Sequence, residues 1–142
     1  MKATSVFIMM TNEVFIMELC EHPRQKETNL YYFELKPLTE AHQHHLDLLG
    51  DSLAMICNNK SGKKSSIVLD CSALTNSGLI QRFLKLSFKK ALAIDNPMGL
   101  DKFMIITASV LVKVISNSII KIKNAAHYTK VCASREEALS NL

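Results

Sequence analysis

Two short runs, Ile67-Val68-Leu69 closed by Asp70 and Phe103 to Thr107, carry apolar residues without the polar alternation of a half-exposed strand. A strand of that kind is covered on both faces, as in the middle of a parallel sheet. Parallel neighbours need crossover connections of a dozen residues or more, usually helical. These two runs therefore restrict the chain to folds in which strands alternate with helices.

The flanking segments agree. Val14 to Cys20 begins with β-branched and aromatic residues and is expected to be a strand. His22 to Asn29 is a polar, proline-containing turn, and Leu30 to Leu35 is a second strand with Tyr31, Phe33 and Leu35 on one face. The short link predicts an antiparallel hairpin. After Lys36-Pro37, Thr39 is a suitable N-cap for a helix whose Leu46, Leu49, Leu53, Ile56 and Cys57 form one apolar stripe. Asn58 to Ser65 is a basic loop. A second helix is expected from Leu79 to about Ala93, with Ile80, Leu84 and Ala91 inward and Arg82, Lys85 and Lys89 outward. Asp95 to Gly99 reads as a turn. A third helix, Val110 to Ile122, is expected to turn Val114, Ile115, Ser118, Ile119 and Ile122 inward. Tyr128 to Cys132 alternates as a final strand. Ser134-Arg135-Glu136-Glu137 is a capping box, in which the Ser hydroxyl accepts from the third amide and Glu137 reaches back to the Ser amide.

The expected order is ββαβαβαβα: an α/β fold with a mixed, mostly parallel sheet of about five strands, an N-terminal antiparallel hairpin and about four helices. At 142 residues the chain has the size of one domain. Residues 13–142 are assigned to it, and residues 1–12 to an N-terminal extension or the start of the first strand. The apolar run Val6 to Met10 is shorter than a signal-peptide core and no cleavage site follows. Met10 is an alternative start. No stretch approaches the ~20 apolar residues of a membrane span, and the expected location is cytoplasmic.

This order, with Asp70 ending the first buried strand, resembles the STAS domain, the fold of bacterial anti-sigma-factor antagonists and of the cytosolic tails of sulfate transporters. Leu111 to Lys121, the strand after it, and Ser134-Arg135-Glu136-Glu137-Ala138-Leu139 resemble a bacterial STAS-like (SpoIIAA-like) group linked by its label to CRAL-TRIO-type lipid-transfer domains. The resemblance implies a non-enzymatic binding or regulatory module acting through protein–protein contacts. A small-molecule or lipid carrier of CRAL-TRIO-like type is the alternative, with a cavity between helices and sheet. Regulatory STAS proteins present a phosphorylatable Ser in an Asp-Ser-Ser-Gly turn. Here Ser77-Gly78 occupies a comparable place, in a shorter loop with no acid directly before the Ser.

The candidate ligand or phosphorylation loop comprises Asp70, Ser72, Thr75, Ser77 and Gly78, beyond the carboxyl end of a parallel strand, where open α/β sheets bind ligands. Amides opening the next helix suit an anion, although Asp70 and Ser77 also suit plain turn and helix caps. Arg82, Lys85 and Lys89 form a candidate basic interaction face, with a solvated surface or contact with anionic lipid as the two readings. His42 and His45 lie one helical turn apart, with His44 pointing elsewhere, which falls short of a metal ligand set. The four cysteines, Cys20, Cys57, Cys71 and Cys132, lie far apart and read as reduced, buried thiols.

No nucleophile elbow, P-loop or dinucleotide fingerprint occurs, and with four glycines a phosphate-cradling loop has little material. No enzymatic activity, cofactor or metal is expected. The net charge of +4 is mild and not concentrated as in nucleic-acid binders, so nucleic acid is not an expected partner. The expected partner is another protein, with an anionic small molecule or lipid as the alternative and a homodimer left open.

Overall fold

The computed structural model describes residues 5–37, 43–74 and 98–142. One six-stranded sheet organises them, built from β1 (Ser5–Thr11), β2 (Phe15–Glu21), β3 (Asn29–Leu35), β4 (Ser65–Asp70), β5 (Leu100–Ile106) and β6 (Thr129–Cys132), in that spatial order. β1, β2 and β3 form an antiparallel meander, and β3 through β6 run parallel. The α/β class, the antiparallel edge and the parallel remainder are as the sequence predicts.

The strand count is corrected from about five to six. Residues 1–12 hold a full strand of their own: β1 pairs with β2 from Ser5↔Cys20 to Thr11↔Ile16, with two register shifts. The turn between them is closed by Asn12, whose Oδ1 accepts from the amides of Val14 and Phe15 at 2.8 and 3.0 Å. Short polar side chains mimic a backbone turn in this way.

Three helices are described: α1 (Gln43–Cys57), α2 (Val110–Ile122) and α3 (Arg135–Ser140). The predicted helix from Leu79 to Ala93, with Arg82, Lys85 and Lys89, lies outside the described residues, as do Thr39, His42, Thr75, Ser77 and Gly78.

Strand alternation separates two cores. Odd-numbered residues of β2 to β4 (Phe15, Met17, Phe33, Leu35, Ile67, Leu69) meet Leu46, Leu49, Leu53, Ile56 and Cys57 of α1 and Val112 of α2. The predicted stripe of α1 is therefore the buried one. The Phe15 and Phe33 rings pack with centroids 6.0 Å apart. Even-numbered residues (Cys20, Leu30, Tyr32, Val68) join Met104, Ile106 and Cys132 on the opposite face, under Ala138 and Leu139 of α3 and Leu142 beyond it. Because β4 and β5 are covered on both sides, their apolar runs show no alternation.

α2 is rotated from the predicted phase. Val112 and Ser116 are buried and Ile115 and Ile119 pack partly against the core, whereas Val114, Ser118 and Ile122 face outward. The segment is so rich in β-branched apolar residues that several stripes satisfy a helical period. Its start is set instead by Ser109, whose hydroxyl accepts from the Val112 amide at 3.3 Å.

α3 is capped nearly as predicted. Ser134 Oγ accepts from the Glu137 amide at 3.1 Å, but Glu137 Oε2 accepts from the amide of Ala133, at 2.8 Å, in place of that of Ser134. At its other end Arg24 Nη2 donates to Ser140 O at 2.7 Å and Lys102 Nζ to Asn141 O at 2.9 Å. Cations placed on the last carbonyls stabilise a helix C-terminus.

Candidate functional site

Asp70 closes β4 at the carboxyl edge of the sheet, where its side chain points to the face covered by α3. Its Oδ1 accepts from the Ser72 amide at 3.0 Å and from the Ser72 hydroxyl, closing an Asx turn. Its Oδ2 accepts from the Tyr32 hydroxyl of β3 at 2.6 Å. The Tyr32 oxygen in turn accepts from Arg135 Nε at 2.8 Å, and the guanidinium lies 4.5 Å from the centre of the Tyr32 ring. A cation over an aromatic face adds attraction to the hydrogen bond.

Sequence and fold together explain this meeting. Tyr32 alternates with Tyr31 and Phe33 and so faces the α3 side, and the register Tyr32↔Val68, Glu34↔Asp70 brings it diagonally beside Asp70. Arg135 opens α3, which the Ser134 cap holds over that face. Burial pushes the Tyr32 hydroxyl above its ordinary value, and donation to Asp70 pushes it further. The hydroxyl thus stays protonated and serves as a donor across the physiological range.

The turn beyond Asp70 is anchored from below. Cys71 is buried, and its amide donates to Ile106 O at 2.8 Å; the amide of buried Leu74 donates to Cys71 O at 3.0 Å. Ser72 alone of these stands exposed. Next to the turn, Thr107 Oγ1 accepts from the Ser109 amide at 3.0 Å, at the entrance to α2. The carboxyl ends of β4 and β5 and the start of α2 therefore share one edge.

Of the predicted loop, the structure places Asp70 and Ser72 together; Thr75, Ser77 and Gly78 are outside the described residues. Asp70 does cap its own turn, and the same carboxylate also reaches Tyr32. Tyr32 and Arg135 were not identified from sequence. The signal for Tyr32 was its opposite phase to Tyr31, Phe33 and Leu35, which put a polar tip on the second face. The histidines of α1 are split: His44 is exposed and His45 half-buried, their ring centres 5.5 Å apart.

All four cysteines are buried and free. Burial pushes the thiols of Cys20 and Cys57 up to about 11 and that of Cys71 higher still. They are thiols, not thiolates, at neutral pH, and behave as small apolar side chains. Among the described residues no helix is long and apolar enough to cross a membrane.

No protein-family model, curated protein or solved structure matches the chain.

Proposed function

We propose that the chain is a STAS-like binding and regulatory module, non-enzymatic and cytoplasmic, that recognises a partner protein at the carboxyl edge of β4. The observation that supports this reading is the Asp70–Ser72 turn. One carboxylate holds the turn from above through Ser72 and from the side through Tyr32, while Cys71 and Leu74 anchor it beneath. An exposed group on such a turn loses little freedom when a partner covers it, which is what preorganisation contributes to affinity. The hydrogen-bond capacity of Asp70 is directed to Tyr32 and Ser72, so its role in this reading is to hold the surface and not to carry out a reaction.

The experiment is affinity purification of the chain from its own cells, in the wild-type form and with Ser72→Arg. Ser72 is exposed, and the substitution adds bulk without removing a buried group. A protein recovered with the wild type and lost with Ser72→Arg, at unchanged thermal stability, supports the reading. Equal recovery by both forms places the contact elsewhere, and lipid co-purifying in stoichiometric amount replaces the module with the carrier.

A further inference from the structure

The opposite edge of the sheet carries a different chemistry. β3 and β4 are parallel and start in register at Asn29↔Ser65, so the segments entering them lie side by side. One is the turn 22–28 that follows β2, and the other is the loop 58–64 that follows α1. Between them opens a cleft of about 720 Å³ bounded by Lys26, Glu27 and Thr28 on one side and Gly62, Lys63 and Lys64 on the other. Gly62 has φ +86°, in the left-handed region, with no atom within 4 Å of where a Cβ would stand. It turns the chain so that Lys63 and Lys64 follow directly on the cleft wall.

We propose that this cleft binds an oligophosphate group, through Lys26 from one loop and Lys63 and Lys64 from the other. Among the described residues none of these lysines has a hydrogen bond or ion pair, nor does Glu27. Like charges brought together without partners repel, and a multiply charged anion relieves that repulsion at every contact. No acidic residue occurs between Asp51 and Asp70, so among the described residues that line the cleft the loop's positive charge, with Lys60 behind it, is opposed by Glu27 alone. Lysine acts on phosphate as a point charge and needs no fixed fork, which suits three flexible stems that line one cleft from two loops. The volume falls in the range of small-molecule sites, roughly 300–1,000 Å³, and exceeds what one inorganic phosphate fills. A diphosphate-bearing metabolite and the headgroup of a polyphosphorylated lipid share this chemistry. The proposal is independent of the Asp70 edge, which lies at the other end of the same strands.

The test is titration of the isotope-labelled chain with sodium pyrophosphate at low salt, followed by amide shifts of residues 26–28 and 60–65. The wild type is expected to saturate, with affinity falling steeply as salt is added. Combined Lys26→Gln, Lys63→Gln and Lys64→Gln should weaken binding at least tenfold. Glu27→Gln should strengthen it severalfold, a result that a merely basic surface would not favour at this position over others. Lys113→Gln with Lys121→Gln, on α2, should change nothing. Vesicles containing phosphatidylinositol bisphosphate, set against phosphatidylserine at matched charge, identify the source. Capture by the first alone assigns a lipid headgroup, and pyrophosphate binding without either assigns a free metabolite. Equal capture by both vesicles, unsaturable shifts, or a triple variant that binds as the wild type does would overturn the proposal.

Discussion

The Tyr32 hydroxyl and the Asp70 carboxylate, 38 residues apart, meet at 2.6 Å across two neighbouring parallel strands. Tyr32 is 3% exposed, and Arg135 also donates to its hydroxyl oxygen. Three elements, β3, β4 and α3, are thereby tied at one point.

Tyr32→Phe removes a donor to Asp70 and an acceptor for Arg135 while keeping the ring. Leaving partly buried polar groups unpaired costs about 1–3 kcal/mol. Urea unfolding should show a lower midpoint with an unchanged slope. Adding Arg135→Gln to Tyr32→Phe should cost less than Arg135→Gln alone, because the two share one interaction. Strict additivity would show that the contact is geometric only.

Gly99→Ala should be strongly destabilising although alanine is small. A Cβ there would stand 2.5 Å from Ile56 O and 2.8 Å from Asn59 O, both backbone atoms at the end of α1. Gly99 also donates to Cys57 O at 2.9 Å and accepts from the Ser65 amide at 2.8 Å, joining α1 to the start of β4. A thermal midpoint within a degree of wild type would contradict this packing.

The phase of α2 is testable with two substitutions two residues apart. Val112→Ala empties a fully buried site and should cost about 2 kcal/mol from lost burial and the cavity left behind. Val114→Ala, at a site 57% exposed, should change stability by less than about 0.5 kcal/mol. Chemical denaturation of the pair decides between the observed face and the one the sequence suggests.

Stability should fall in mild acid through His22. Its Nδ1 accepts from the amides of Arg24 at 3.1 Å and Gln25 at 3.0 Å, which requires the neutral ring protonated at Nε2. Burial pushes its pKa below the ordinary 6.5; Asp101 opposes this, and Lys102 and Arg24 add to it. Below 6.5 the unfolded chain takes up a proton that the folded chain refuses, so this contribution is complete above that pH and is lost as pH falls through the folded value. His22→Asn, which can present Oδ1 to the same amides, should flatten the dependence between pH 7 and pH 5. An unchanged slope in that variant would assign the acid sensitivity to another group.

Much of the fold was legible because its signals are local. The continuous apolar runs of β4 and β5, the alternation in β3, the stripe of α1 and the Ser134 cap each depend on residues within a few positions of one another. β1 was harder to separate, since Val6 to Met10 also fits an extension, and its pairing with β2 follows only once Asn12 closes the turn. α2 was legible as a helix but not in its rotation, because Val112, Val114, Ile115, Ile119 and Ile122 offer overlapping stripes and only contact with the sheet selects one.

For the candidate site the division is sharper. The sequence by itself determined that Asp70 ends a buried strand, that Ser72 follows it in a turn, and that Tyr31, Phe33 and Leu35 share one face of their strand. Only the tertiary structure decided that Tyr32 joins Asp70 to Arg135, which lies 103 residues after Tyr32, and that Lys26 lines one cleft with Lys63 and Lys64. The physical reason is the same in both cases. Backbone periodicity and capping are written into neighbouring residues, whereas strand order and register bring remote residues together and appear only when the whole sheet is assembled.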